Sequence, residues 1–172
     1  MNRVSTRTEQ QTEQAINDEA MAAWVGFLRV HAALVDVLGR ELESQVGLPL
    51  TWYDVLIQLA AAPEGRLRMQ DLAAAVVLSK SGLTRLIDRV ETAGLVARAS
   101  CPSDRRGTYA EITAKGRKAL DEARPVHHRG IQAHFADRLG HRELAALRTA
   151  TDKLGAALGI PPWPGEGTPS CG

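Results

Sequence analysis

From Met69 to Thr113 the sequence sets two helical periods almost end to end and follows them with two alternating runs around a charged turn. Few folds satisfy that order. The first period, Met69 to Val76, turns Leu72 and Val76 to one side. Only Val77 and Leu78 separate it from the second, which Ser79 can cap and which runs to about Ala93, with Gly94 placed to end it. Leu83, Leu86, Ile87 and Val90 make one stripe of this second helix, and Lys80, Ser81, Thr84, Arg85 and Asp88 occupy the other side. Two short helices joined by a tight link, the second with a basic outer face, are the grammar of a helix-turn-helix. The runs LVARASC (95–101) and TYAEIT (108–113) flank Pro102–Gly107 and predict a β-hairpin directly after it, a wing.

Helices bracket this centre. From Ala15 to about Val46, Trp24, Leu28, His31, Val35, Leu38 and Leu42 recur at alternating steps of four and three, close to a coiled-coil seam, and Gly47 and Pro49 end the run. A second helix begins near Leu50, with Thr51 suited to its N-cap and Val55, Leu56, Leu59 and Ala60 on its buried side. Thr113 can cap a later helix whose candidates for burial are Leu120, His127, Ile131, Phe135 and Leu139, and Pro125 predicts a kink or break within it. Leu144, Leu147, Thr151, Leu154 and Leu158 mark a last helix before a tail rich in Pro and Gly. With 44% hydrophobic residues but only 4% aromatic, the core of this 172-residue chain is expected to be aliphatic.

The net charge of +1 conceals an uneven distribution. Residues 64–118 hold 11 cations and 6 anions, a balance of +5; the rest of the chain holds 10 cations and 14 anions, a balance of −4. The basic part coincides with the helix-turn-helix and its wing, which is the electrostatic footprint of phosphate binding. Other chemistries lack their motifs. There is no Gly-rich phosphate loop after a strand and no G-x-S-x-G, so no enzyme is expected and no cofactor. Cys101 and Cys171 cannot build a disulfide framework or a zinc site, and His127, His128 and His134 lack the further ligands that tetrahedral zinc requires, so no metal is expected. No stretch reads as the roughly 18 apolar residues of a membrane span, and the N-terminus lacks an apolar signal core, which together predict a soluble, cytoplasmic protein without a membrane partner.

Ser79, Lys80, Ser81, Thr84 and Arg85, at the front of the second short helix, are residue types that reach base edges and phosphates in a major groove. At the wing, a guanidinium on a thin hairpin suits the narrow, electronegative minor groove. Asp104 beside Arg105 and Arg106 can hold an arginine fork in place.

The stretch LRMQDLAAAVVLSKSGLTRLIDRVETAGLV followed by SDRRGTYAEITAKGRKAL resembles the MarR (multiple antibiotic resistance regulator) family of bacterial transcription factors, over about residues 20–158. The family's wing pattern is present as Asp104, Arg106, Thr113 and Gly116. The resemblance implies a mainly α fold with a small β-hairpin wing, a winged helix-turn-helix core flanked by long N- and C-terminal dimerisation helices. It implies a homodimer on a double-stranded, pseudo-palindromic DNA operator, usually as a repressor, released by a small aromatic or carboxylate effector or by cysteine oxidation. Carried over by position, Ser79 to Arg85 lie in the major groove, Arg106 is the wing-tip arginine, Asp104 its partner and Arg105 a phosphate contact.

On this reading residues 1–14 form an N-terminal arm, 15–48 and 114–158 the dimerisation region, 49–113 the DNA-binding domain and 159–172 a flexible tail. Phe27, His31, Trp52 and Tyr53, with His127, are the residues expected to line a crevice for a planar effector, although each also fits ordinary packing. A winged-helix protein-interaction module without sequence-specific DNA binding is the alternative that the residues leave open; it requires the basic helix face to be dispensable.

Overall fold

Asn17 accepts the backbone N–H of Ala20 on its side chain (2.7 Å) and so starts α1 (Asp18–Val46), which Gly47 ends in the left-handed region at φ 66°. The computed structural model describes residues 17–76, 80–101 and 104–160; the side chains at 80, 81, 100, 101 and 104–107 lie outside that description. After α1 come α2 (Leu50–Ala61), β1 (Arg66–Arg68), α3 (Met69–Ala75), α4 (Lys80–Thr92), β2 (Val96–Cys101), β3 (Asp104–Ile112), α5 (Ala114–His134) and α6 (His141–Ala157). The architecture is the expected one, mainly α with a small β wing, and the hairpin is antiparallel.

Four local readings change. The wing sheet has three strands in the order β1-β3-β2, and the sequence reading lacks β1. Three residues are too few to show a period, and the strand exists through its pairing with β3, Leu67 opposite Ala110. The charged stretch assigned to the hairpin turn is already strand from Asp104. Thr51 does not cap α2: the cap is Pro49, two residues earlier, and the N–H groups of Trp52 and Tyr53 both reach Pro49 O (2.9 and 3.1 Å). Finally, α5 runs unbroken through Pro125.

The core lies between α2, α3, α4, the sheet and the first half of α5. Val55, Leu56, Leu59, Leu72, Ile87, Val90 and Ala110 are fully buried, and among α1 residues Leu42 joins them. Each such large aliphatic side chain contributes about 1.5–3 kcal/mol by leaving water. The buried stripe of α5 is Leu120, Ala123, Val126 and Gly130, with His127, Ile131 and Phe135 only half-buried beside it. Helix crossing explains this rotation from the expected face. α1 passes so close at Gly130 that a side chain there would meet Leu38 Cδ2 at 2.5 Å and Glu41 Oε2 at 2.7 Å. His134 Nε2 bonds Glu41 Oε1 (2.6 Å) one turn on, fixing the same crossing.

The outer helices cover little. On α1, Trp24, Phe27 and Leu28 are 53%, 53% and 44% exposed, and on α6, which has no buried residue, Leu154 is 62% exposed. Contrary to the sequence expectation, α1 is long and apolar enough to cross a membrane by length and composition, with an 18-residue stretch of mean hydropathy 1.5, none of it buried. Leu38, expected in the same outward seam, instead packs on α5 of its own chain.

Candidate nucleic-acid interface

The orientation of α4 follows from its apolar stripe. Leu83, Leu86, Ile87 and Val90 sit in the core, which leaves Thr84, Arg85, Asp88 and Arg89 exposed on the opposite side. Ser79 lies outside the described residues, and so do the side chains of Lys80, Ser81, Asp104, Arg105 and Arg106. The backbone nevertheless puts Lys80 and Ser81 in the first turn of α4, and Asp104, Arg105 and Arg106 at the start of β3.

The far end of α4 is tied down by several bonds. Gly94, at φ 75°, turns the chain, and the N–H of Leu95 returns to Val90 O (3.1 Å). Thr113 Oγ1 donates toward Gly94 O (2.8 Å) and Leu95 O (3.1 Å) while accepting the N–H of Gly116 (3.0 Å) to cap α5. Lys115 Nζ donates to Ala93 O (2.7 Å), a cation at a helix C-terminus where the macrodipole favours it. Gly116 is forced by this junction, because a Cβ there would lie 2.1 Å from Leu95 O. The family-like Thr113 and Gly116 of the sequence are thus the joint between recognition helix, wing and α5.

Charges are partly spent within the wing. Arg98 of β2 bonds Asp88 Oδ1 and Glu91 Oε2 on α4, both at 2.5 Å. Those carboxylates raise its guanidinium pKa, the Asp88 hydrogen bond most, against an opposing desolvation. Asp88 shares the outer side of α4 with Thr84 and Arg85, but its carboxylate turns to the wing. On the sheet, Arg66 and Arg68 stand over the ring of Tyr109, 5.4 and 5.5 Å from its centroid, and Arg66 also pairs with Glu64. Sequence reasoning missed this trio with β1, because a three-residue strand shows no period and exists only through its pairing with β3.

The candidate effector residues fall into two groups. Phe27 and His31 stack along exposed α1 (6.2 Å), with Trp24 next to Phe27 (6.3 Å). Trp52 is half-buried, and Tyr53 is buried with its ring 4.4 Å from that of His127 on α5. Desolvation there lowers the His127 pKa, and the charge of His128 adds to the effect. Surrounding protein likewise raises the Asp54 pKa, although the residue keeps an exposed edge. Among the described residues no three His, Cys, Asp or Glu side chains converge as a metal set would.

Known proteins share these features. The model of the MarR family matches residues 46–107, which take in the helix-turn-helix and most of the wing. The crystal structure of AbsC, a MarR family transcriptional regulator from Streptomyces coelicolor, is 35% identical, covers 83% of this chain and 96% of that one, and superposes with a TM-score of 0.76. Sco3205, another MarR family transcriptional regulator from Streptomyces coelicolor, was solved in complex with DNA. It is 30% identical, with 88% of this chain and 92% of that one covered and a TM-score of 0.77. An uncharacterized HTH-type transcriptional regulator of Bacillus subtilis, YkoM, is 32% identical over 72 residues, which are 42% of this chain and a little under half (47%) of that relative.

Proposed function

The chain belongs to the MarR family of transcriptional regulators, and from that premise we propose that it is a homodimeric, sequence-specific DNA-binding protein of the cytoplasm. It acts as a repressor on a pseudo-palindromic operator and is released by a small aromatic or carboxylate ligand. The observation that carries the DNA reading is α4, anchored by a fully apolar stripe and by the bonds at its C-terminal end, with Thr84 and Arg85 exposed on its outer side. Ser79, Lys80, Ser81, Thr84 and Arg85 are assigned to the major groove. Asp104, Arg105 and Arg106 are assigned to the wing contact, with Arg106 in the minor groove. That Sco3205, a protein that shares the fold over most of this chain, was solved in complex with DNA supports the DNA-binding reading.

A second copy accounts for the apolar length of α1 better than lipid does. α1 carries Arg29, Asp36 and Arg40, and its uncovered side chains have a counterpart in the equally uncovered α6. Phe27, His31 and Trp52 are assigned to the effector, between the dimer helices and the winged-helix core, whereas Tyr53, expected beside them, is buried in the core of the single chain against His127.

The test is a selection of genomic fragments by the purified protein, followed by footprinting at two salt concentrations. The expected result is a protected pseudo-palindrome whose half-sites lie about one helical turn apart, with affinity falling steeply as salt rises. Arg106→Ala is expected to cost about 1–3 kcal/mol of operator binding while leaving the fold intact. A folded protein that selects no sequence at low salt, with or without small aromatic acids, would reject this reading and return the winged helix to a protein-interaction role.

A further inference from the structure

Arg98 is joined to α4 three times over. Its backbone N–H donates to Glu91 Oε1 (3.0 Å), Nη1 donates to Glu91 Oε2 (2.5 Å), and Nη2 donates to Asp88 Oδ1 (2.5 Å). β2 is an edge strand whose outward backbone groups need partners off the sheet, and the Arg98 N–H finds one in Glu91, which also binds the side chain of the same residue. Asp88 and Glu91 are three residues apart and therefore neighbours on one side of the helix. A planar guanidinium can engage both carboxylates at once, which a lysine ammonium cannot do with comparable directionality.

This clamp sits where the wing leaves the body. Val96 and Ile112, paired across the hairpin, are buried, whereas Ala97 and Arg98 lie on the exposed stretch that continues to the tip. Any tilt of the hairpin at its base is multiplied at Arg105 and Arg106. A helix in one groove and a wing in the next can both engage only when the angle between them is fixed. We propose that Arg98 is a positioning residue for DNA recognition: by holding Asp88 and Glu91 it sets the angle between recognition helix and wing, so that seating one commits the other. The inference rests on the DNA-binding reading above. Exposure separates this role from ordinary stabilisation. The Arg98 side chain is 30% exposed and those of Asp88 and Glu91 are 55% and 35% exposed, and ion pairs in such places contribute little to folding. Losing the clamp therefore misaligns the wing and leaves the body folded.

The experiment compares the full chain with two variants, Arg98→Lys and the double variant Asp88→Ala/Glu91→Ala. Each is measured on the selected operator and on a random duplex of equal length, with hydroxyl-radical footprints and thermal midpoints. Both variants are expected to melt close to the parent. Their preference for operator over random DNA is expected to fall roughly tenfold to hundredfold, with protection lost at the outer minor grooves and kept in the central major grooves. The double variant also tests mere neutralisation. If Arg98 only masks acid charge near phosphates, removing both acids restores parental preference and footprint, and the inference fails. It fails equally if both variants keep the parental preference, or if they lose affinity for both duplexes in parallel with a large drop in midpoint, the mark of a purely structural role. A parent chain that selects no operator refutes the DNA-binding reading itself and this inference with it, whereas a selective parent matched by its variants refutes this inference alone.

Discussion

Gly116 shows how one residue joins three elements. Its missing side chain lets the first turn of α5 rest on the carbonyl of Leu95, a backbone atom that cannot swing aside. Gly116→Ala is therefore expected to destabilise the fold by more than about 2 kcal/mol, read as a lowered denaturant midpoint at unchanged slope. An alanine variant of parental stability would show that the junction relaxes. The sequence showed Gly116 only as part of a family-like pattern; what forces it is the approach of a loop 21 positions earlier, which no local period reveals. His127 presents a titration at the same scale. Burial against Tyr53 holds its folded pKa below the ordinary 6.5, so the unfolded chain binds the proton more readily. Its contribution to stability is complete above about pH 6.5 and is lost as pH falls toward the folded value. His127→Gln is expected to melt less steeply with falling pH between 7.5 and 5.5 than the parent. Equal slopes would remove His127 as the source.

Two threonines that look alike in the sequence separate at the level of elements. Thr113 accepts the N–H of Gly116 at the start of α5 and reaches back to the end of α4, whereas Thr51 lies inside α2, whose first bonds go to Pro49 O. Thr113→Ala is expected to cost about 1 kcal/mol, and Thr51→Ala within about 0.5 kcal/mol of nothing, in paired chemical denaturation. A cost for Thr51→Ala as large as that of Thr113→Ala would contradict the observed caps. The contrast marks where sequence reading worked. α4 announced itself, because an apolar stripe and a polar face separate cleanly along thirteen residues. The end of α1 followed from Gly47 and Pro49, whereas its start at Asp18, behind the Asn17 cap, did not. β1 had no such sign, and the buried face of α5 was set by the crossing at Gly130, a contact between helices some ninety positions apart. Local chemistry writes periods and caps; registers between distant elements are settled only by packing.

For the whole molecule the decisive surface is the one the single chain leaves bare. Trp24, Leu28 and Val35 on α1, Leu147 and Leu154 on α6 and Leu158 just past its end are large, apolar and exposed, more than the singly scattered apolar residues of an ordinary monomer. Leu28 is the informative position, since it lies outside the core formed within the chain. Leu38 would confuse the test, because it already packs on α5. Leu28→Lys is expected to leave helix content unchanged and shift the species in solution from dimer to monomer, measured by sedimentation. The same variant then reports on DNA. Each phosphate neutralised adds about 0.9 to the slope of log affinity against log salt, and one winged helix reaches half the phosphates of two. The monomer should therefore show about half the parental slope and little preference between operator and random duplex, because one half-site alone carries little sequence. A variant that stays dimeric would place the subunit interface elsewhere. A monomer with the full parental slope would mean that a single chain makes every phosphate contact, and the pseudo-palindrome would lose its physical basis.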